Sequence, residues 1–182
     1  MISTIVLILG SVPLVWLSRR SILRPVSHGF SRFFAFEAIL ALIVLNAPHW
    51  FIHPLGVLQL VSWSLLVVSG VLVVWGVVLL SCFGRSRPTL EGSTLFEWEN
   101  TGNLVMAGIY RYIRHPMYSS LLFLAWGALL KSVSLGTLVL AGGAMLALTA
   151  TAKVEEAENV ARFGQEYRDY MKQTRRFIPF VW

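Results

Sequence analysis

Five apolar runs alternate with polar connections along the chain. Ile2 to Leu17 is the first, broken only by small polar residues and Pro13. Phe33 to Leu45 is the second and ends at Asn46-Ala47-Pro48. Leu55 to Cys82 is the longest and carries no charge, long enough to cross a bilayer with tilt. Pro116 to Leu130 and Leu135 to Ala152 flank the tight turn Lys131-Ser132-Val133-Ser134, a pattern that predicts a helical hairpin. The expected fold is all-α: a polytopic membrane protein of about five transmembrane helices, with a short C-terminal hairpin and an amphipathic tail helix. It forms one domain over 1–182. Residues 1–82 hold three N-terminal spans; 83–182 hold a polar loop, the hairpin and the tail.

The segments between and after the runs refine this. Gly84 to Ala107 is polar, with Arg85-Ser86-Arg87-Pro88, the acids Glu91, Glu97 and Glu99, and the turn-like Asn100-Thr101-Gly102-Asn103. Connections of that length are usually functional or disordered. From Lys153 on, Val154, Ala157, Ala161, Tyr167 and Tyr170 or Met171 recur at helical spacing. This predicts an extension of the fifth helix, interrupted near Gly164. Arg175 to Trp182 is a basic, aromatic tail placed to lie back on the protein or the lipid. Gly143 and Ala147 form a small-xxx-small pair that predicts close helix packing.

Composition settles the class. Of 182 residues, 56% are hydrophobic and 13% charged, and the mean hydropathy is +0.69. No soluble domain of this size needs that much apolar sequence. The net charge of +6 is no sign of nucleic acid, because the basic residues flank apolar runs. The three segments expected on one side hold Arg19, Arg20, Arg24 and Arg32; Arg85, Arg87, Arg111 and Arg114; and Lys153, Arg162, Arg168, Lys172, Arg175 and Arg176. The other side holds Lys131. This 14-to-1 division of the 15 basic residues predicts an outside N-terminus and a cytosolic C-terminus. Arg19 and Arg20 follow the first run instead of preceding it, so it reads as a retained span and not a cleaved signal. The single cysteine, Cys82, excludes an intramolecular disulfide and a multi-cysteine metal site.

Candidate chemistry is sparse elsewhere and dense at 108–118. Glu37 lies one turn inside the second run, where Arg20 or Arg32 could pair with it. His49 and His53 sit between Pro48 and Pro54 and read as interfacial loop residues. Gly108-Ile-Tyr-Arg-Tyr-Ile-Arg-His-Pro-Met-Tyr118, by contrast, packs charge and aromatics against the edge of a hydrophobic helix. Pro116 suits a first helical turn, which puts Arg114 and His115 just outside a helix N-terminus, a site suited to an anionic group. The hairpin brings Glu155 and Glu156 back to that level. The expected pocket is roofed by the polar loop and open both to water and to the bilayer.

The 108–118 stretch, the hairpin, Glu155-Glu156 and Phe163-Gly-Gln-Glu-Tyr-Arg-Asp-Tyr170 together resemble the integral-membrane methyltransferases, the isoprenylcysteine carboxyl and phospholipid methyltransferase group. The likeness covers about residues 100 to 180. It implies S-adenosylmethionine as methyl donor. It also implies loop contacts from Gly102, Asn103, Leu104 and Val105, with Tyr110 bordering the cofactor and His115, Pro116, Met117 and Tyr118 holding it at the helix start. Glu155 would take a polar group of the cofactor, and Arg114 and Glu156 are the candidate catalytic residues. His115 and Glu155 are expected on opposite sides of the cofactor. The acceptor implied is a lipophilic or small membrane-accessible molecule bearing a carboxylate, amine or thiol. The isoprenylcysteine enzymes carry an arginine shortly before the paired glutamates; here Thr151, Ala152 and Lys153 stand there. Sterol reductases share part of the pattern but use a nicotinamide cofactor and more spans, and a non-enzymatic carrier or assembly factor is a third reading.

Overall fold

A computed structural model describes residues 2–24, 27–84 and 102–181. Each apolar run becomes a helix, and most helices outlast the apolarity. The helices are α1 (Ile2–Ile22), α2 (His28–Asn46), α3 (Val57–Phe83), α4 (Pro116–Leu129), α5 (Leu135–Phe163) and α6 (Gln165–Gln173). α1 continues past Arg19 and Arg20. α2 starts five residues before the apolar run, so Arg32 and Glu37 are both helical. α5 runs eleven residues beyond Ala152, because a polar sequence of helix formers keeps the backbone ladder once a turn is in place. It stops at Gly164, whose φ of 62° favours a residue without a Cβ, and α6 follows. The interruption expected near Gly164 is therefore present. The segment Arg85–Thr101, with its three acids and its Arg-Ser-Arg-Pro motif, lies outside the described residues.

α1, α2, α3 and α5 are each long and apolar enough to cross a membrane. α4 has 14 residues, about 21 Å at the helical rise, against a hydrocarbon thickness of about 30 Å. It can be short because it is the inner helix, with nine of its 14 residues buried. α3 and α2 hold it partly through its backbone carbonyls. Ser62 Oγ donates to Gly127 O at 2.6 Å, Ser69 Oγ to Ser120 O at 2.7 Å, and Asn46 Nδ2 to Ala128 O at 2.7 Å. Small polar side chains of this kind join helices where water is absent.

Close approach falls at other glycines than the expected one. A Cβ on Gly143 would meet nothing within 4 Å, so the Gly143–Ala147 pair is not a packing seam. The tight contact between α4 and α3 is at Gly127, where a Cβ would lie 2.9 Å from Leu66 and 3.3 Å from Ser62 O. Spacing marks a small-residue stripe but not which face of the helix is inward. Glu37 takes a hydrogen bond from Ser11 Oγ of α1 at 2.7 Å. Lys131, at the turn between α4 and α5, is buried: its Nζ donates to Gln59 Oε1 at 3.2 Å and lies 3.5 Å from the Trp63 ring centroid.

Three apolar clusters fix the frame. Ile39, Leu42, Ala125, Leu129 and Ala144 join α2, α4 and α5 near the hairpin turn. Ala35, Tyr118, Leu122, Leu148 and Phe177 join the same helices and the tail at the other end. Leu72, Leu79, Val105, Ile109 and Ile113 seat the segment before α4 on α3.

Candidate functional site

The site is built where α4 begins. Gly108 opens a short 3-10 turn, Gly108–Arg111, with φ 57°, and a Cβ there would lie 2.7 Å from Leu79. That close seat on α3 sets the path of residues 109–115 into α4. Pro116 occupies the first helical turn and His115 caps it. The tail comes back to the same place. Arg114 N donates to Arg175 O at 2.8 Å, His115 N to Arg176 O at 3.1 Å, and Arg175 N to Tyr112 O at 3.0 Å, a short parallel bridge. Ser119 Oγ adds a 2.7 Å bond to Phe177 O, and Phe177 is 1% exposed. The tail therefore lies on the protein.

These elements line a half-open cavity of about 80 Å³. Nine of the residues expected at the site line it: Leu104, Val105, Tyr110, Arg114, His115, Pro116, Met117, Tyr118 and Glu155. Gly102 and Asn103 are not in its wall; their amides both donate to Gly84 O, at 2.8 and 3.2 Å, which brings the two ends of the polar loop together. Glu156 is not in the wall either.

Charge is organised in two tiers. At the cavity, the His115 ring stacks on Tyr118 with centroids 5.3 Å apart. Tyr118 Oη donates to Glu155 Oε2 at 2.5 Å, and His115 Nδ1 is 3.8 Å from Glu155 Oε1. That distance leaves no room for a ligand between His115 and Glu155, so the expectation of opposite sides is corrected: the two share one wall. The hairpin packs too closely for its facing ends to stand apart.

Behind the wall lies Glu156, whose side chain is 6% exposed. Its Oε1 accepts from Arg114 Nε at 2.8 Å and from Arg176 Nε at 3.2 Å; its Oε2 accepts from Arg176 Nη2 at 2.5 Å. Arg114 Nη1 also donates to Thr174 O at 2.6 Å and Met171 O at 3.2 Å. His115 Nε2 faces Glu156 Oε1 at 3.4 Å, yet it is buried without an aligned hydrogen-bond partner.

Sequence reasoning missed part of the wall. Leu80, Asn159, Phe163, Tyr167 and Tyr170 also line the cavity. The two tyrosines form the buried face of α6, the helical periodicity read above only as amphipathic. Burial pushes the Tyr170 phenol above its ordinary pKa, so it stays protonated and donates to Tyr110 O at 2.6 Å. Arg176 and Phe177 carried no signal beyond a basic, aromatic tail.

The sequence model of phospholipid methyltransferases matches residues 55–169, and every expected site residue falls inside that stretch. The chain is 26% identical over 154 residues to the methanethiol S-methyltransferase of Crocosphaera subtropica, covering 76% of this chain and 58% of that protein. It is 31% identical over 71 residues to the methanethiol S-methyltransferase of Pseudomonas deceptionensis, covering 39% of this chain and 26% of that protein. The chain thus spans a little over half the length of the first relative and about a quarter of the second.

Proposed function

Because the chain belongs to the phospholipid methyltransferase family, we propose that it is an integral-membrane methyltransferase that uses S-adenosylmethionine and acts on a lipophilic or small membrane-accessible acceptor. One observation carries the reading. His115, stacked on Tyr118, and Glu155 stand together at the start of α4 in the wall of a half-open cavity.

The residues present fit the donor. The N–H groups of Met117 and Tyr118 open α4 and, with His115, suit the carboxylate of the amino-acid moiety. Glu155, with 23% of its side chain exposed, suits an amine or ribose hydroxyls. Tyr110, Phe163 and Tyr167 offer aromatic walls for an adenine ring. Bound there, the donor supplies an electrophilic methyl carbon on a sulfonium sulfur. Transfer is a displacement, so the protein's part is to place donor and acceptor in line and to exclude water. Arg114 and Glu156, buried against each other, take a positioning role here and not a reacting one.

The relatives named above put a small thiol first among acceptors to test, with amines and carboxylates beside it. A thiol or amine must lose a proton to react; a carboxylate need not. The charge division supports a site on the cytosolic face. Calorimetry with S-adenosylmethionine, its demethylated product and a nicotinamide nucleotide tests the proposal. Micromolar binding of the first two supports it; binding of the nucleotide alone moves the protein to the reductase class.

A further inference from the structure

We propose that Arg176 is a positioning residue of this site: it fixes the Glu156 carboxylate and, through it, the His115 ring in the orientation that receives the donor. The inference rests on the methyltransferase reading of the cavity. Arg176 lies outside the stretch that matches the family, 55–169, and lines no part of the cavity.

The geometry has three parts. Arg176 is the residue whose guanidinium reaches both Glu156 oxygens, Oε1 through Nε at 3.2 Å and Oε2 through Nη2 at 2.5 Å. Arg114 reaches Oε1 only, at 2.8 Å. A planar fork on both oxygens fixes the rotation of a carboxylate; a single contact does not. Next, the same Oε1 faces His115 Nε2 at 3.4 Å. Any rotation of the Glu156 carboxylate changes what His115 faces, and His115 is in the cavity wall. Finally, the tail does not need the Arg176 side chain to stay in place. It is held by backbone bonds from Arg114, His115 and Arg175, by Ser119 on Phe177 O, and by the buried Phe177 ring. Loss of the guanidinium therefore acts on Glu156, not on the path of the chain. Arg175 next to it is exposed and serves as a charge control.

The test titrates S-adenosylmethionine by calorimetry into the full chain in detergent, with the melting temperature of each unliganded sample. The samples are wild type, Arg176→Gln, Arg176→Lys, Glu156→Gln, the Glu156→Gln/Arg176→Gln double variant and Arg175→Gln. Arg176→Gln is expected to bind about tenfold or more weakly while melting within a few degrees of wild type. Arg176→Lys keeps the charge without the fork and should be several-fold weaker. Adding Arg176→Gln to Glu156→Gln should cost nothing further, since both act through one carboxylate. Arg175→Gln should bind as wild type. Wild-type affinity in Arg176→Gln, or a full additional loss in the double variant, overturns the proposal. Where Arg176→Gln does not fold, Arg176→Lys decides: wild-type affinity there overturns it and weaker binding supports it. A wild type that binds no S-adenosylmethionine instead removes the methyltransferase reading itself, and the proposal with it.

Discussion

The Tyr118 hydroxyl donates to Glu155 Oε2 across 2.5 Å, tying the first turn of α4 to the polar part of α5. Tyr118 also carries the stacked His115 ring, so one side chain orients both polar groups of the wall. Tyr118→Phe keeps the stack and removes the bond. We expect it to weaken S-adenosylmethionine binding by roughly 10-fold, the scale of a lost hydrogen bond to a charged group, with a melting temperature lowered by only a few degrees. Calorimetry and thermal melts on the same sample check this. Unchanged affinity would show that Glu155 needs no help from Tyr118.

His115→Ala and Glu155→Gln should each weaken cofactor binding by roughly 10- to 150-fold, about 1.5–3 kcal/mol, without unfolding the protein. If the two residues only anchor helices, melting temperature falls and the affinity of the folded fraction holds. The 3.8 Å between them adds a second expectation. The double variant should lose less than the sum of the single losses, because neighbours on one wall couple.

Packing makes a contrasting pair. Gly127→Ala places a Cβ 2.9 Å from Leu66 and 3.3 Å from Ser62 O, and it strains the Ser62–Gly127 bond that joins α3 to α4. Overpacking of this kind costs about 1–3 kcal/mol. Gly143→Ala meets open space and gains helix propensity of about 1 kcal/mol. Thermal melts in one detergent should show the first variant falling and the second unchanged or raised. The reverse order would refute the α3–α4 contact at Gly127.

A reporter active only in the cytosol should function when fused after Trp182, and an outside-specific reporter should be silent there. The expectation comes from the 14-to-1 basic division. The opposite result removes both the proposed orientation and the cytosolic site.

Much of the architecture was legible because bilayer thickness and hydropathy speak directly about helix existence. The ends were less so. α5 passes eleven residues beyond its last apolar stretch because nothing before Gly164 breaks its ladder. In the site, the meeting of His115 with Glu155 and Glu156 was readable: a proline fixes one helix start, and a four-residue turn forces the other helix back. Their separation was not, since spacing along a chain gives levels and not distances between faces. The docking of the tail that carries Arg176 and Phe177 was out of reach for a different reason. It runs through backbone amides and carbonyls of segments far apart in sequence, and backbone atoms leave no pattern in residue types.

That tail bridge also sets a timetable. Ser119 and Phe177 are 58 residues apart, and chains emerge from the ribosome amino end first. The peptide that covers Arg114 and Glu156 is thus the last part of the site to leave the ribosome, after α4 and α5. Two guanidinium–carboxylate partners must wait, half assembled, until the tail arrives. The newly inserted hairpin thus carries the Arg114–Glu156 pair before Arg176 reaches the second carboxylate oxygen.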